Sequence, residues 1–419
     1  MCLSAVTPAL GKDYIVTLAG GYSPKGNQAS LEANVLFFEQ VLARVYHQPI
    51  EHTIFFADGD DPSADVQYSV TPEQSGQPAT DLLRQILGGG RSSPRVAYRN
   101  HEIEAVHDRL HPNPIRARLE ELSRRMDAGD RLLLYVTAHG SAGREEDPFN
   151  TTIDCWDDRR ITARQLGKWL DKLPPDCAVV MVMAQCYCGG FARTVFKDLE
   201  VDRGPATPLR IGFFAQQHDR AAAGCRPDIS NDREFSSYFW GALVGHTRNG
   251  HRMVDGDIDG DGRISLAEAF AVALVTCDTI DVPLRTSDVV LRSYSRIPDY
   301  ELPGQNTGDE KQRLSKALRE LASDGSVEGV PPAPDSSSET SAKNVAGDEA
   351  PPSVEDASEA DNSAAAGLDR LADQPELARL EGSIESLIEG VSPELAFAVR
   401  GLCEQTEVSG AESFEQFVS

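Results

Sequence analysis

Between Asp13 and Ala215 the chain alternates short apolar runs with longer segments of helical spacing. Tyr14–Ala19, Thr53–Ala57, Arg131–Thr137, the run from Val179 and Leu209–Ala215 read as five strands buried on both faces. Ala29–Tyr46 places Leu31, Val35, Leu36, Phe38, Val41, Leu42 and Val45 on one helical stripe. Ile115–Met126, Ile161–Leu173 with Thr162 near its cap, and Phe191–Leu199 read as further helices. Strands that alternate with helices predict right-handed crossovers and a mainly parallel sheet covered on both faces, an α/β fold. Residues 60–111 form a long, weakly patterned insertion, and loops of that length are usually functional or disordered.

Composition changes the picture at the C-terminal end. Of the formal net charge of −26 over 419 residues, about −16 falls after Pro303, where 24 acidic side chains face 8 basic ones. Residues 304–364 carry the Ser, Pro, Ala, Asp and Glu of an acidic, largely disordered linker. Helical periodicity returns at 365–419, through Leu371, Leu377, Leu380, Ile384 and Leu387, as a small C-terminal module. The expected organisation is therefore 1–303, 304–364 and 365–419. The charge argues against nucleic acid or an anionic membrane as partner. Eight scattered cysteines make no disulfide framework, and neither a signal peptide nor an apolar run of about 18 residues is evident. A cytoplasmic, reduced protein is the expectation.

Two strand ends carry candidate chemistry. The fourth strand stops at Gln185-Cys186, followed by Gly189-Gly190 and a helical segment, and open α/β sheets place ligands at that edge. The amino end of the next helix would lower the thiol pKa below its free value of about 8.5, and the two glycines would admit a substrate backbone. A buried structural cysteine is the plainer alternative. His139 follows the third strand directly, so both side chains would lie at one carboxyl edge, with histidine suited to proton transfer near neutral pH. His101, His107, His111 and His218 lack that strand-end His-Gly placement.

At Tyr135–Ser141 and Ala184–Phe191 the chain resembles the His-Gly and Gln-Cys blocks of caspase-like cysteine peptidases, leaning toward the bacterial legumain-like and metacaspase-like branches. The likeness covers roughly Asp13 to Tyr300 and includes Phe214–Gln217 and Phe235–Trp240. It departs at Cys188, where the family usually has serine, and at Ala184, a specificity-pocket position often acidic or Gln. The resemblance implies a caspase-like three-layer sandwich and a cysteine endopeptidase acting on protein or peptide substrates. In it Cys186 would be the nucleophile, His139 the proton-transfer group, and the N–H groups of Gly140 and Cys186 the oxyanion hole. Asp58, ending the second strand, could orient a group at the sheet edge but reads first as a turn aspartate. Arg95, Arg99 or Arg159 near the cleft would favour acidic substrates. Cys188 could capture a sulfenic acid formed at Cys186, or merely replace serine.

Asp257–Glu268 matches the twelve-residue calcium loop. Asp257, Asp259 and Asp261 fall at positions 1, 3 and 5, with Gly262 at the turn, the Arg263 carbonyl at 7, Ser265 at 9 and Glu268 at 12. A regulatory or structural calcium ion is expected, with a helix cap as the alternative use of such a turn. No organic cofactor is expected. The acidic tail could cover the active site until cut at points such as Asn306, Asp335, Asn344, Asp356 or Asn362, or could recruit a partner. Two other classes compete: a catalytically silent calcium-binding scaffold, and a nucleotide-binding domain suggested by Leu18–Gly26, whose spacing fits no phosphate-binding fingerprint.

Overall fold

The computed structural model describes residues 11–48, 50–70, 95–294 and 391–405. The linker 304–364, the helical signal at 368–390 and the five tail cut points lie outside the described residues. Strands β1 (Asp13–Gly20), β2 (Glu51–Phe56), β3 (Val66–Val70), β4 (Arg95–Arg99) and β5 (Val106–Asp108) are interleaved with helices α1 (Ala29–Val45) and α2 (Pro112–Arg125). There follow β6 (Arg131–Ala138), β7 (Thr152–Cys155), β8 (Arg159–Thr162), α3 (Ala163–Leu170), β9 (Ala178–Met183) and β10 (Leu209–Phe214). The remaining elements are α4 (Phe235–Ala242), α5 (Leu266–Thr276), β11 (Leu284–Arg285), α6 (Thr286–Tyr294) and α7 (Pro393–Gln405).

Seven strands form the central sheet in the order β11-β10-β9-β6-β1-β2-β5. All pairings are parallel except β10 with β11. The five strands read from the apolar runs form its centre. The two edge strands, β5 and β11, are too short to leave a periodic signal. Insertion 60–111 is not structureless: it contributes β5 to the sheet and an antiparallel β3–β4 hairpin.

Helices cover both faces, giving a three-layer α/β sandwich. Helices α1, α4 and α5 contact one another on one face; α2, α3 and the turns after β9 contact one another on the other. On the first face Phe38 is fully buried and stacks between Tyr135 and Trp240, with ring centroids 4.7 and 4.4 Å away. A polar network also runs through this layer. Glu234 is ion-paired with Arg248 in near-complete burial, and Asn34 donates to Glu234 (2.9 Å) and to Thr137 at the end of β6 (3.1 Å). Buried charges of this kind persist only when paired, so the network fixes how α1 and α4 sit under β6.

Two local readings need correction. Ile161–Leu173 begins as the β8 strand, and the helix starts at Ala163 with a capping box between Thr162 and Gln165. The segment after β9 is not an α-helix but runs of 3₁₀ turns, Cys188–Val195 and Lys197–Leu199. Two adjacent glycines disfavour regular helix there.

Helix α7 packs on α5: a side chain at Gly401 would collide with Val275, and Phe397 joins the main core cluster. Among the described residues no helix is long and apolar enough to cross a membrane.

Because Phe38 joins α1 to the sheet, Phe38→Ala is expected to lower the unfolding free energy in urea by about 3–5 kcal/mol. A loss below about 1 kcal/mol would show that this helix–sheet contact is not part of the stabilising core.

Candidate active site

The carboxyl ends of β1, β2, β6, β9 and β10 lie along one edge of the sheet, and the loops that leave them converge there. Parallel pairing of Val136 with Met183 places His139 and Cys186 three residues past matched positions on neighbouring strands. The two turns meet closely. A methyl group on Gly140 would strike the Cys186 carbonyl oxygen and the Thr152 carbonyl, so only glycine can follow His139 here. The N–H groups of Gly140 and Cys186 donate to no other residue's acceptor among the described residues. The expected oxyanion pair is therefore unspent.

His139 is held from the β1 side. Its Nε2 lies 2.7 Å from the Gly26 carbonyl and 2.9 Å from Gln28 Oε1. Both partners are oxygen acceptors, so Nε2 carries the proton and Nδ1 is left with a lone pair. Tyr22 packs edge-on against the ring at 5.3 Å. The loop that supplies Gly26 is itself braced: Asn27 Oδ1 accepts from Gly21 N–H (3.1 Å) and Asn27 Nδ2 donates to Asp65 (2.8 Å). Leu18–Gly26, weighed from sequence as a nucleotide loop, thus serves as the seat of His139. Sequence reasoning missed Gly26, Asn27 and Gln28, and a backbone carbonyl leaves no residue signature to find.

On the other side of His139 the β7–β8 hairpin contributes Asp154. Its carboxylate accepts from Ser141 and Thr152, each at 2.7 Å, and its N–H donates to the His139 carbonyl. Asp154 and the Gly26 carbonyl favour imidazolium, but burial outweighs them and holds the His139 pKa below its ordinary value.

The Cys186 sulfur accepts from the Ala222 N–H at 3.3 Å. Burial, then the neighbouring Cys225, push its pKa up to about 12. This reverses the expectation of a thiolate stabilised by a helix: the turns after β9 are 3₁₀, and desolvation dominates. The resting pair is neutral thiol and neutral imidazole.

The segment after β10 runs across the site. The Arg220 carbonyl accepts from Tyr187 N–H, and Cys225 Sγ lies 3.9 Å from the Ala138 carbonyl. The Arg226 carbonyl accepts from Ser30 N–H, and Arg226 N–H donates to the Ser30 hydroxyl. Asp281, not foreseen from sequence, anchors this segment by accepting from Ala223 N–H at 2.7 Å, and burial raises its pKa to about 6.

Other expectations resolve differently. Gly189 and Gly190 admit the chain's own loops, at Gln216–His218 and Phe149–Thr151, rather than a substrate. Cys188 is fully buried with its sulfur 3.2 Å from Gln216 N and 3.5 Å from Gln216 O, so it packs under the site instead of facing a reagent. Arg99 is paired with Glu32, and Arg159 is exposed at the start of β8. His111 caps α2, His101 reaches the Gly59 carbonyl, and His107 and His218 stack on Phe55 and Phe149.

The second candidate site precedes α5. Carboxylate oxygens of Asp257, Asp259 and Asp261 lie within 4.8 Å of one another. Asp257 Oδ2 accepts from Gly262 N–H at 3.0 Å, while its Oδ1 is buried without a partner. Three converging hard oxygens and one orphaned lone-pair atom fit a divalent cation such as calcium. Arg263 and Ser265 occupy the expected loop positions, but Ser265 caps α5. Glu268 turns inward to accept from Ile258, Asp259 and Ser265 N–H groups rather than standing open as a bidentate ligand.

No protein-family model matches the chain, and no curated protein matches it. Among solved structures the chain is similar to protein GSU0716 from Geobacter sulfurreducens, at 10% identity over 65% of this chain and 93% of that one, with a TM-score of 0.36. That likeness is too slight to bear on fold or function.

A thiol raised to about 12 is protonated through neutral pH. Iodoacetamide labelling of Cys186, followed by peptide mass spectrometry, is expected to accelerate about tenfold per pH unit from pH 7 to 10 with no plateau. A plateau reached below pH 7 would reveal a thiolate–imidazolium pair and contradict the neutral resting state.

Proposed function

We propose that the chain is a caspase-like cysteine endopeptidase working through Cys186 and His139. The observation that carries this reading is the seat of His139: Nε2 is spent on the Gly26 carbonyl, leaving Nδ1 basic, and the next residue, Gly140, packs against the Cys186 carbonyl. As the sulfur attacks a peptide carbonyl, Nδ1 accepts the thiol proton, since neither group is ionised beforehand. The developing oxyanion would be met by the unspent N–H groups of Gly140 and Cys186, each such donor being worth about 3–4 kcal/mol in the transition state. The imidazolium, steadied by the Gly26 carbonyl and Asp154, then protonates the leaving amine. Neutral His139 next takes a proton from water, whose hydroxyl oxygen attacks the thioester. As the C–S bond breaks, the imidazolium returns that proton to the departing Cys186 sulfur, releasing the acid and restoring the neutral pair.

Asp257, Asp259 and Asp261 would hold a calcium ion, with the Arg263 carbonyl and Ser265 at the remaining loop positions. Such an ion would neutralise the cluster and fix the start of α5. The chain leaving α5 continues to Asp281, whose carboxylate ties down the segment over Cys186, so an ion at one end of α5 bears on the nucleophile at the other. The acidic tail is proposed as a regulatory or docking arm, and six free cysteines among the described residues fit a reducing cytoplasm. One observation favours a silent scaffold instead: the segment after β10 lies directly against the Cys186 sulfur.

Peptide hydrolysis separates these readings. Full-length protein is expected to cleave a fluorogenic peptide library, and Cys186→Ala or His139→Ala to reduce turnover at least 10³-fold while keeping the native circular dichroism. Full activity in Cys186→Ala would reject the assignment.

The ion has its own test in calorimetry. Calcium is expected to give a heat of binding with wild type that Asp259→Ala loses, and chelator to lower peptide turnover. Identical activity with and without chelator, and no heat, would leave the loop as a helix cap.

A further inference from the structure

Asp58 and Asp65, in the loop after β2, have no assigned part in the site. Asp65 is only 1% exposed and sits with one oxygen, Oδ2, on Asn27 Nδ2 (2.8 Å). Its other oxygen is buried without a donor, and the same is true of Asp58 Oδ1. Asp58 Oδ2 takes the Ser63 hydroxyl at 2.9 Å, the turn role expected of it. Both orphaned oxygens belong to the one loop, and the two carboxyl groups act on each other's ionisation, yet two carboxylates have no hydrogen to share. One proton shared by the two carboxyl groups would give both orphaned oxygens a partner, and two coupled like charges in a buried site are disfavoured together.

We propose that Asp58 and Asp65 share one proton and act together as positioning residues for His139, bracing through Asn27 the loop whose Gly26 carbonyl holds the imidazole. The proposal rests on the peptidase reading for its kinetic consequence but not for its geometry. Asn27 is fully buried and spans the two loops: its side chain joins Gly21 to Asp65, and its carbonyl accepts from Gln67 N–H at 2.8 Å. A displacement of Asp65 is thereby carried to the residues on either side of Asn27, which are Gly26 and Gln28, the two partners of His139 Nε2.

The sign follows from the charges. Burial, then the Asp58 charge, push the Asp65 pKa up to about 7, and burial raises Asp58 as well. Below that value the pair holds its proton and the brace is intact. Above it both carboxylates are ionised, repel, and loosen Asn27. Asp61 on the same turn adds negative charge near Asp58, favouring retention of the proton. His101 faces the turn through the Gly59 carbonyl, the Arg109 backbone closes over Gly59, and Glu32 on α1 is spent on Arg99. Neither member of the reacting pair titrates in this window, because His139 lies below its ordinary 6.5 and Cys186 near 12. An alkaline limb near pH 7 would therefore belong to the aspartates.

The test compares full-length wild type with Asp65→Asn and Asp58→Asn. An asparagine amide donates to the opposite carboxylate and so imitates the shared proton at every pH. Wild-type kcat/KM on a fluorogenic peptide is expected to fall about tenfold between pH 7 and 8.5, whereas either amide variant holds its pH 7 value across that range. Asp65→Ala, which removes the strut, is expected to be depressed at least tenfold at all pH values. An alkaline limb unchanged in both amide variants would overturn the proposal. If no protein cleaves peptide, the peptidase reading falls separately. The His139 imidazole ¹⁵N shifts then decide, with an inflection near pH 7 in wild type and none in Asp65→Asn expected, and the same inflection in both overturning the shared proton.

Discussion

A carbonyl oxygen can only accept a hydrogen bond, and the one at Gly26 decides the chemistry of the whole sheet edge. By taking the Nε2 proton it fixes the tautomer of His139 and turns the basic nitrogen away from β1. Much of the surrounding structure exists to keep that oxygen in place. Gly20 adopts a left-handed φ of 95°, and a side chain on Gly21 would collide with the Gly26 backbone, so the loop folds tightly back on itself. Asn27 then ties it to the β2 and β3 loops. Histidine orientation here is a backbone matter, with Asp154 contributing charge rather than a direct ring contact.

Burial keeps the acid–base pair neutral at rest. A low-dielectric environment opposes a thiolate–imidazolium pair, so in the proposed reaction charge separation would be driven by the substrate carbonyl as it meets the two unspent N–H groups. A protonated sulfur is a poor target for electrophiles, and the segment Arg220–Arg226 adds a cover over it. That segment depends on Asp281 and Gln216, and these in turn on the chain leaving α5. Helix α5 consequently has three attachments: the Asp loop at its start, α7 along its side and the nucleophile cover beyond its end. The proposed ion and the C-terminal helix would therefore act on one element.

Much of the fold was legible because the central strands are uniformly apolar and the helices keep their 3.6-residue stripe. Cys186 and His139 were legible because each directly follows such a strand. What escaped had no local pattern. Strands β5 and β11 are two or three residues long, and Gly189-Gly190 broke the helix that Phe191–Leu199 otherwise spells. The thiol pKa runs opposite to the sequence expectation because burial, then the Cys225 charge, outweigh the Ala222 hydrogen bond, and all three arise only on tertiary folding. Cys188 reads as a reactive neighbour in one dimension, yet its side chain is buried against Gln216. The Asp65–Asn27 contact joins residues 38 positions apart through two loops, and no periodicity reports it.

The central claim is that one sulfur attacks a peptide carbonyl with the help of one imidazole. A peptidyl acyloxymethyl ketone, which alkylates a cysteine only after occupying a peptidase site, tests this directly by intact-mass and tryptic mass spectrometry of the full-length protein. A single adduct is expected, on Cys186, formed at least a hundredfold more slowly in His139→Ala. An adduct on Cys225 or Cys277, or equal labelling with and without His139, would contradict it.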